Sequence, residues 1–310
     1  DTEVVNINDG ALDGLSISSG ASDGDKYDVT LVAANFQSGG TDDSATIELD
    51  GAGLSSLTFT QLDEVAFNAT ATSSVIDTLD TPDLESVSLS GGKDVTIDTL
   101  SGGTSSITVF DASSFEGDLE LDVSADAQGG GIQVLGGSGD DFVIGTSAGT
   151  EDGDTFTMGA GSDSVSVDPG GDRQDTFIYT ASSLGSGDVA AGDQEVIGGF
   201  DGGEGDSDDV IDFTAGVESE LVFQGNALGD VEGDVTITND ANDGPTFGND
   251  TNVVVTNADN GEDLELRFDL DGNTEFDPDQ DFTLTLKGLA DQDVKYDASE
   301  DEFRVAQDVQ

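Results

Sequence analysis

Cysteine, histidine and tryptophan are absent from the 310 residues. Without histidine the chain can form no Ser-His-Asp triad, no Cys-His dyad and no His-Glu-x-x-His zinc helix. Without cysteine it has no thiolate chemistry, no disulfide and no thiolate zinc site. Lys and Arg number only 7 and are scattered, so there is no basic patch for nucleic acid or anionic lipid. Proline is scarce, at 4 residues, which argues against a disordered tail. No apolar run approaches the roughly eighteen residues of a membrane-spanning helix. The chain opens on Asp1 with no charged-then-apolar leader, as expected of a processed form or a fragment.

What is abundant is acid and glycine. Asp and Glu total 68, giving a formal net charge of −61, and Asp outnumbers Glu 51 to 17. Glycines number 43. Such acidity usually accompanies disorder, yet 34% of residues are apolar, they fall in short β-type runs, and 16 phenylalanines are enough to seed a core. The composition therefore implies a folded chain with a self-repelling surface that needs salt or bound divalent cations. The bias to Asp, a short hard-oxygen ligand and turn former, favours divalent cations.

Apolar and polar residues alternate over three to six positions, as in Tyr27-Asp28-Val29-Thr30-Leu31 and Leu57-Thr58-Phe59, between Gly, Asp and Ser clusters. This predicts an all-β chain, with helix limited to a turn or two near Ala181–Leu184. Between Val75 and Ile144 strands recur in pairs: Val87/Leu89 with Val95/Ile97, Ile107/Val109 with Leu119/Leu121, Ile132/Val134 with Phe142/Ile144. The first members are 20 and then 25 residues apart. Two strands per period predict a β-solenoid, with an antiparallel sandwich as the alternative. The expected division is a β-rich solenoid region over 1–130, a calcium β-roll over 131–215 and a β-sandwich-like C-terminal unit over 216–310.

Residues 136–144, Gly-Gly-Ser-Gly-Asp-Asp-Phe-Val-Ile, fit the nonapeptide G-G-x-G-x-D-x-U-x at every defined position, with Gly137, Gly139, Asp141 and the apolar Val143. Weaker copies place Asp154 before Phe156, Gly159, Gly161 and Asp163 before Val165, and Asp175 before Phe177. In such a unit glycines permit turn angles closed to other residues and direct carbonyls inward, and the Asp adds a carboxylate beside them. Two nonapeptides make one coil, so Asp141 is expected over Asp163 and Asp154 over Asp175, with calcium between stacked turns. The alternative is a Gly/Asp turn holding no ion.

These residues resemble the RTX group of secreted calcium-binding proteins. The passages Asp175-Thr176-Phe177-Ile178-Tyr179, Glu195–Phe200 and Asp208–Phe213 resemble the segment that closes the calcium β-roll in serralysin-like C-terminal regions and bacterial S-layer proteins. Val109–Ser113 followed by Leu119–Val123 resembles the coils that precede those repeats. The resemblance spans about residues 84–215. It implies bacterial export and calcium-triggered folding outside the cell.

A second candidate calcium site is the loop Asp269-Leu270-Asp271-Gly272-Asn273-Thr274-Glu275-Phe276-Asp277, with oxygen side chains at positions 1, 3, 5 and 9 in the manner of an EF-hand loop. It departs from that pattern in its early glycine and in Gln280 at position 12, so an unoccupied acidic hairpin is the alternative. Asn239–Gly244 reads as a plain solvated turn. No catalytic constellation is legible. The expected function is a non-enzymatic, secreted, calcium-binding structural protein that self-assembles into an extracellular layer or filament. An adhesin module and the C-terminal region of a secreted hydrolase are the alternatives. The expected partner is the chain itself, head to tail, through the alternating run at residues 2–8, which could otherwise pair within its own subunit.

Overall fold

A computed structural model describes residues 2–7, 15–17, 27–33, 44–60, 62–82, 84–101, 107–125, 131–147, 153–168, 173–180, 185–202, 208–213, 221–223, 226–227, 235–237, 252–258, 260–273, 275–297 and 302–306. The expected helical turn at 181–184 and the turn at 239–244 lie outside these residues. Every regular element described is a β-strand. No helix among the described residues is long and apolar enough to cross a membrane. Contacts divide the chain into two compact units, residues 1–154 and 155–310, a boundary that falls inside the expected 131–215 segment.

In the first unit the chain alternates between two parallel sheets. One sheet takes Thr2–Ile7, Tyr27–Ala33, Gly53–Thr60, Ser74–Ile76, Val95–Ile97, Leu119–Asp122 and Phe142–Ile144, each parallel to the next. The other takes Leu15–Ile17, Ser44–Leu49, Glu64–Ala69, Ser86–Gly91, Val109–Phe115 and Gln133–Leu135. Parallel pairing throughout makes this a β-solenoid and not an antiparallel sandwich. The coils begin well before the stretch where the sequence period is visible.

Alternation supplies the core. Leu54, Ile76, Ile97, Leu121 and Val143 stand in register on successive strands and are all buried. Val65, Val87, Phe110 and Val134 form the matching stripe on the other sheet. Each such side chain contributes about 1.5–3 kcal/mol when removed from water. Polar partners such as Thr96 and Glu120 alternate outward, so the acid falls on the surface by the same period of two.

In the second unit Thr155–Thr157, Thr176–Tyr179 and Val210–Phe213 run parallel, as do Ser164–Ser166, Gln194–Gly198 and Phe282–Leu286. Beyond them the pairing turns antiparallel. Leu264–Phe268 and Val253–Asn257 follow Phe282–Leu286, while Glu302–Ala306, Asp293–Asp297 and Val235–Ile237 follow Val210–Phe213. The segment expected as a separate C-terminal sandwich therefore extends both coil sheets directly. Aromatic rings fill this interior: Phe156 stacks on Phe177 at 5.4 Å, Tyr179 on Phe213 at 5.3 Å, and Phe268 meets Phe282 edge-on at 5.0 Å.

Thr2–Ile7 pairs with Tyr27–Ala33 of its own chain, the intramolecular alternative for that run. It is the outermost strand of its sheet among the described residues.

Candidate metal centre and carboxylate clasps

The turn that ends in Asp141 is packed directly on the coil before it. A Cβ on Gly137 would run into the carbonyl of Phe115, and one on Gly139 into the carbonyl of Gly117. Close approach of two backbones, not an unusual dihedral, is what demands glycine here. The expected dihedral reason applies instead to Gly159 and Gly161, whose φ values are +92° and +129°.

Asp141 is 2% exposed and spans two turns with its two oxygens. Oδ1 accepts the N–H of Leu119, 22 residues earlier, at 2.9 Å, and Oδ2 accepts the N–H of Gly137 at 3.0 Å. Asp154 repeats the device. Its carboxylate accepts Ile132 N–H at 3.0 Å, and Thr146 through both N–H at 2.7 Å and hydroxyl at 3.0 Å. Asp209 does the same in the second unit, accepting Asp175 N–H at 2.8 Å and Asp201 N–H at 2.7 Å. Each carboxylate ties a coil to its neighbour and closes its own turn, which satisfies buried N–H groups that would otherwise each cost about 1–3 kcal/mol.

Asp163 and Asp175 are both buried. Asp163 donates its N–H to Glu195 Oε1 at 3.2 Å, and Ser164–Ser166 pairs with Val196–Gly198, so Glu195 occupies the coil position that follows Asp163. Asp209 follows Asp175 in the same way. Glu195 and Asp209 are clasp residues that the nonapeptide pattern alone does not mark. The expected partners Asp141 and Asp163, and Asp154 and Asp175, belong to different units, and each is described within its own.

Burial pushes the Asp141 carboxyl up to about 6, against its two N–H donors and with the Asp118 and Asp140 charges adding to the rise. Burial likewise lifts Asp209 to about 7. Glu195 is raised well above its usual range by burial and then by the Asp163 charge. A cation beside these groups would favour their charged forms.

The loop at 269–281 gathers three carboxylates. Ligand oxygens of Asp269, Asp271 and Asp281 lie within 4.8 Å of one another. Asp269 and Asp281 are buried, at 5% and 0% exposure, and Asp271 is exposed. Of the four residues expected from sequence, Asp269 and Asp271 belong to this group. Asn273 instead donates its N–H and Nδ2 to Asp271, at 2.9 and 2.7 Å. Asp277 donates its N–H to Asp281 Oδ2 at 2.8 Å and accepts Asp279 N–H at 3.1 Å. Asp281, one step beyond the twelve-residue loop, takes the place expected for Asp277. It is also a clasp, since its Oδ1 accepts Leu270 N–H at 2.9 Å. Burial raises its pKa, and the Asp269 and Asp271 charges add to that. Three hard oxygen donors, two of them buried, fit a hard divalent cation such as calcium or magnesium.

No protein-family model, curated protein or solved structure matches the chain.

Proposed function

We propose that this chain is a secreted structural protein, an acidic β-solenoid that uses divalent cations, calcium foremost, to hold its coils together and that assembles with copies of itself. One observation carries the cation requirement. Asp269, Asp271 and Asp281 converge within 4.8 Å in a chain of net charge −61, with two of the three carboxylates buried. Like charges brought together out of water need a counter-charge or protons. The nonapeptide carboxylate Asp141 adds a second place where a cation would relieve a buried charge. Support for export and the cell exterior comes from the resemblance of residues 84–215 to RTX proteins.

The test is thermal unfolding at low ionic strength in calcium, magnesium and chelator, followed by electron microscopy of the same samples. The expected result is a melting temperature sharply raised by calcium, and ordered fibres or layers only where the protein is folded. Identical melting curves in calcium and chelator would sink the cation reading. A folded, calcium-bound protein that stays monomeric at every concentration would sink the assembly reading.

A further inference from the structure

Among the described residues, both sheets of the first unit begin, and both sheets of the second unit end, on an outermost strand. These are Thr2–Ile7 and Leu15–Ile17 in the first unit, and Val253–Asn257 and Val235–Ile237 in the second. An outermost strand offers a row of backbone N–H and C=O groups to any chain that can reach it. Natural edges are blunted by Lys, Pro or inward-pointing charge, and these four strands contain no Lys and no Pro. They also hold one acidic side chain, Glu3, in a chain with 68.

That last fact selects the occupant. Two copies of a chain of charge −61 repel each other over most of their surface. Edge pairing brings backbones to about 4.8 Å, and it costs least where carboxylates are fewest. We infer that copies of this chain join edge to edge, Thr2–Ile7 of one copy pairing with Val253–Thr256 of the next. Just before the acceptor edge, Asn252 bonds Val222 through its N–H at 3.0 Å, so the valine run beyond it is the stretch we assign to a neighbour. The two edges are different patches, so the contact is heterologous and propagates unless it closes into a ring. This inference rests on the assembly reading and adds to it the two strands that meet.

The experiment uses the full-length protein under conditions where it polymerises, followed by sedimentation velocity. A synthetic peptide of residues 2–8, Thr-Glu-Val-Val-Asn-Ile-Asn, is added in excess. A control peptide carries N-methyl groups on alternate amides, which keeps its side chains and removes edge donors. The expected result is a several-fold fall in weight-average mass with the first peptide and none with the second. Deletion of residues 1–9 should leave a protein with the full-length far-ultraviolet circular dichroism that does not polymerise. Polymers untouched by either peptide or by the deletion would overturn the inference and leave the assembly reading standing. A protein that never polymerises overturns both, and association with a different macromolecule in place of self-association also counts against it.

Discussion

Leu119 gives its backbone N–H to the side chain of Asp141, 2.9 Å away. On the strand before it, Val95 makes the equivalent bond to a backbone carbonyl, that of Asp118, at 3.0 Å. At residue 141 a carboxylate has taken over the role of a main-chain acceptor, and it reaches Gly137 with its second oxygen. Removing it leaves two N–H groups in a buried turn. Asp141→Ala should therefore destabilise the protein by about 2–4 kcal/mol. Asp141→Asn, which keeps an acceptor for Leu119 but sets an amide against Gly137, should cost less. Urea denaturation of both variants in chelator checks the order.

The glycines around that turn separate two physical reasons for glycine. Gly137→Ala pushes a Cβ into the Phe115 carbonyl, so the coils must part, at a cost of about 1–3 kcal/mol. At Gly92 the nearest atom to an added Cβ is the flexible Glu116 carboxylate at 3.5 Å, an ordinary contact. Gly92→Ala should fall within about 0.5 kcal/mol of the parent. Equal losses at the two positions would mean that the close approach of the coils does not decide the residue.

Much of this was legible in the residues. Val87/Leu89 with Val95/Ile97, Ile107 with Leu119/Leu121, and Ile132/Val134 turn apolar side chains into the solenoid, because alternation writes the inward face directly into the sequence. Phe142 is instead 39% exposed and Val109 and Ile144 are half-buried, the inward residues of those two strands being Val143 and Phe110. The earlier coils were not legible. Thr2–Ile7 and Tyr27–Ala33 pair at a 26-residue offset and Leu15–Ile17 and Ser44–Leu49 at 32, so loop insertions hide the period. The docking of Phe282–Leu286 on Gln194–Gly198 joins strands with no local signal between them. Glu195 and Asp209 were hidden by the same kind of insertion, lying 32 and 34 residues from Asp163 and Asp175. Asp281 was hidden because a hairpin between strands need not keep the spacing of a loop between helices.

Acid should stabilise the cation-free protein. Asp141 and Asp209 titrate at about 6 and about 7 when folded, against an ordinary 3.8, chiefly through burial. A carboxyl with a raised folded pKa binds protons on folding between its two values. Its contribution is complete below the unfolded pKa and is lost as pH rises through the folded one. In chelator, the melting temperature should climb as pH falls from about 8 to about 5. Asp263 has the opposite sign. Burial pushes its carboxyl up, but bonds from Gly288 N–H, Lys287 and Asn260 outweigh that and lower it, so its contribution is lost only at more acidic pH. Asp209→Asn should flatten the slope near neutral pH, and an unchanged slope there would rule out Asp209 as a source of it.

The cation loop offers a test in which sequence spacing and three-dimensional grouping disagree. Spacing favours Asp277 as a ligand, whereas the grouped carboxylates are Asp269, Asp271 and Asp281. Asp281 is fully buried and holds two backbone N–H groups, so its removal would confuse loss of a ligand with loss of a clasp. Asp271 avoids this because it is exposed, and its bonds are local ones from Asn273. In chelator, Asp271→Ala should melt within a degree or two of the parent, since about 0.5 kcal/mol is typical of a surface change. In calcium the parent should gain stability as the logarithm of free cation over its dissociation constant, and Asp271→Ala should gain less. Asp277→Ala should keep most of the calcium gain, because among the described residues its carboxylate lies outside the group and accepts the N–H of Asp279. Calorimetric titration of calcium into both variants reads the affinities directly. If Asp277→Ala loses the calcium gain and Asp271→Ala keeps it, the ion follows the linear spacing of the loop, and the grouping of Asp269, Asp271 and Asp281 is a cluster of clasps without a cation.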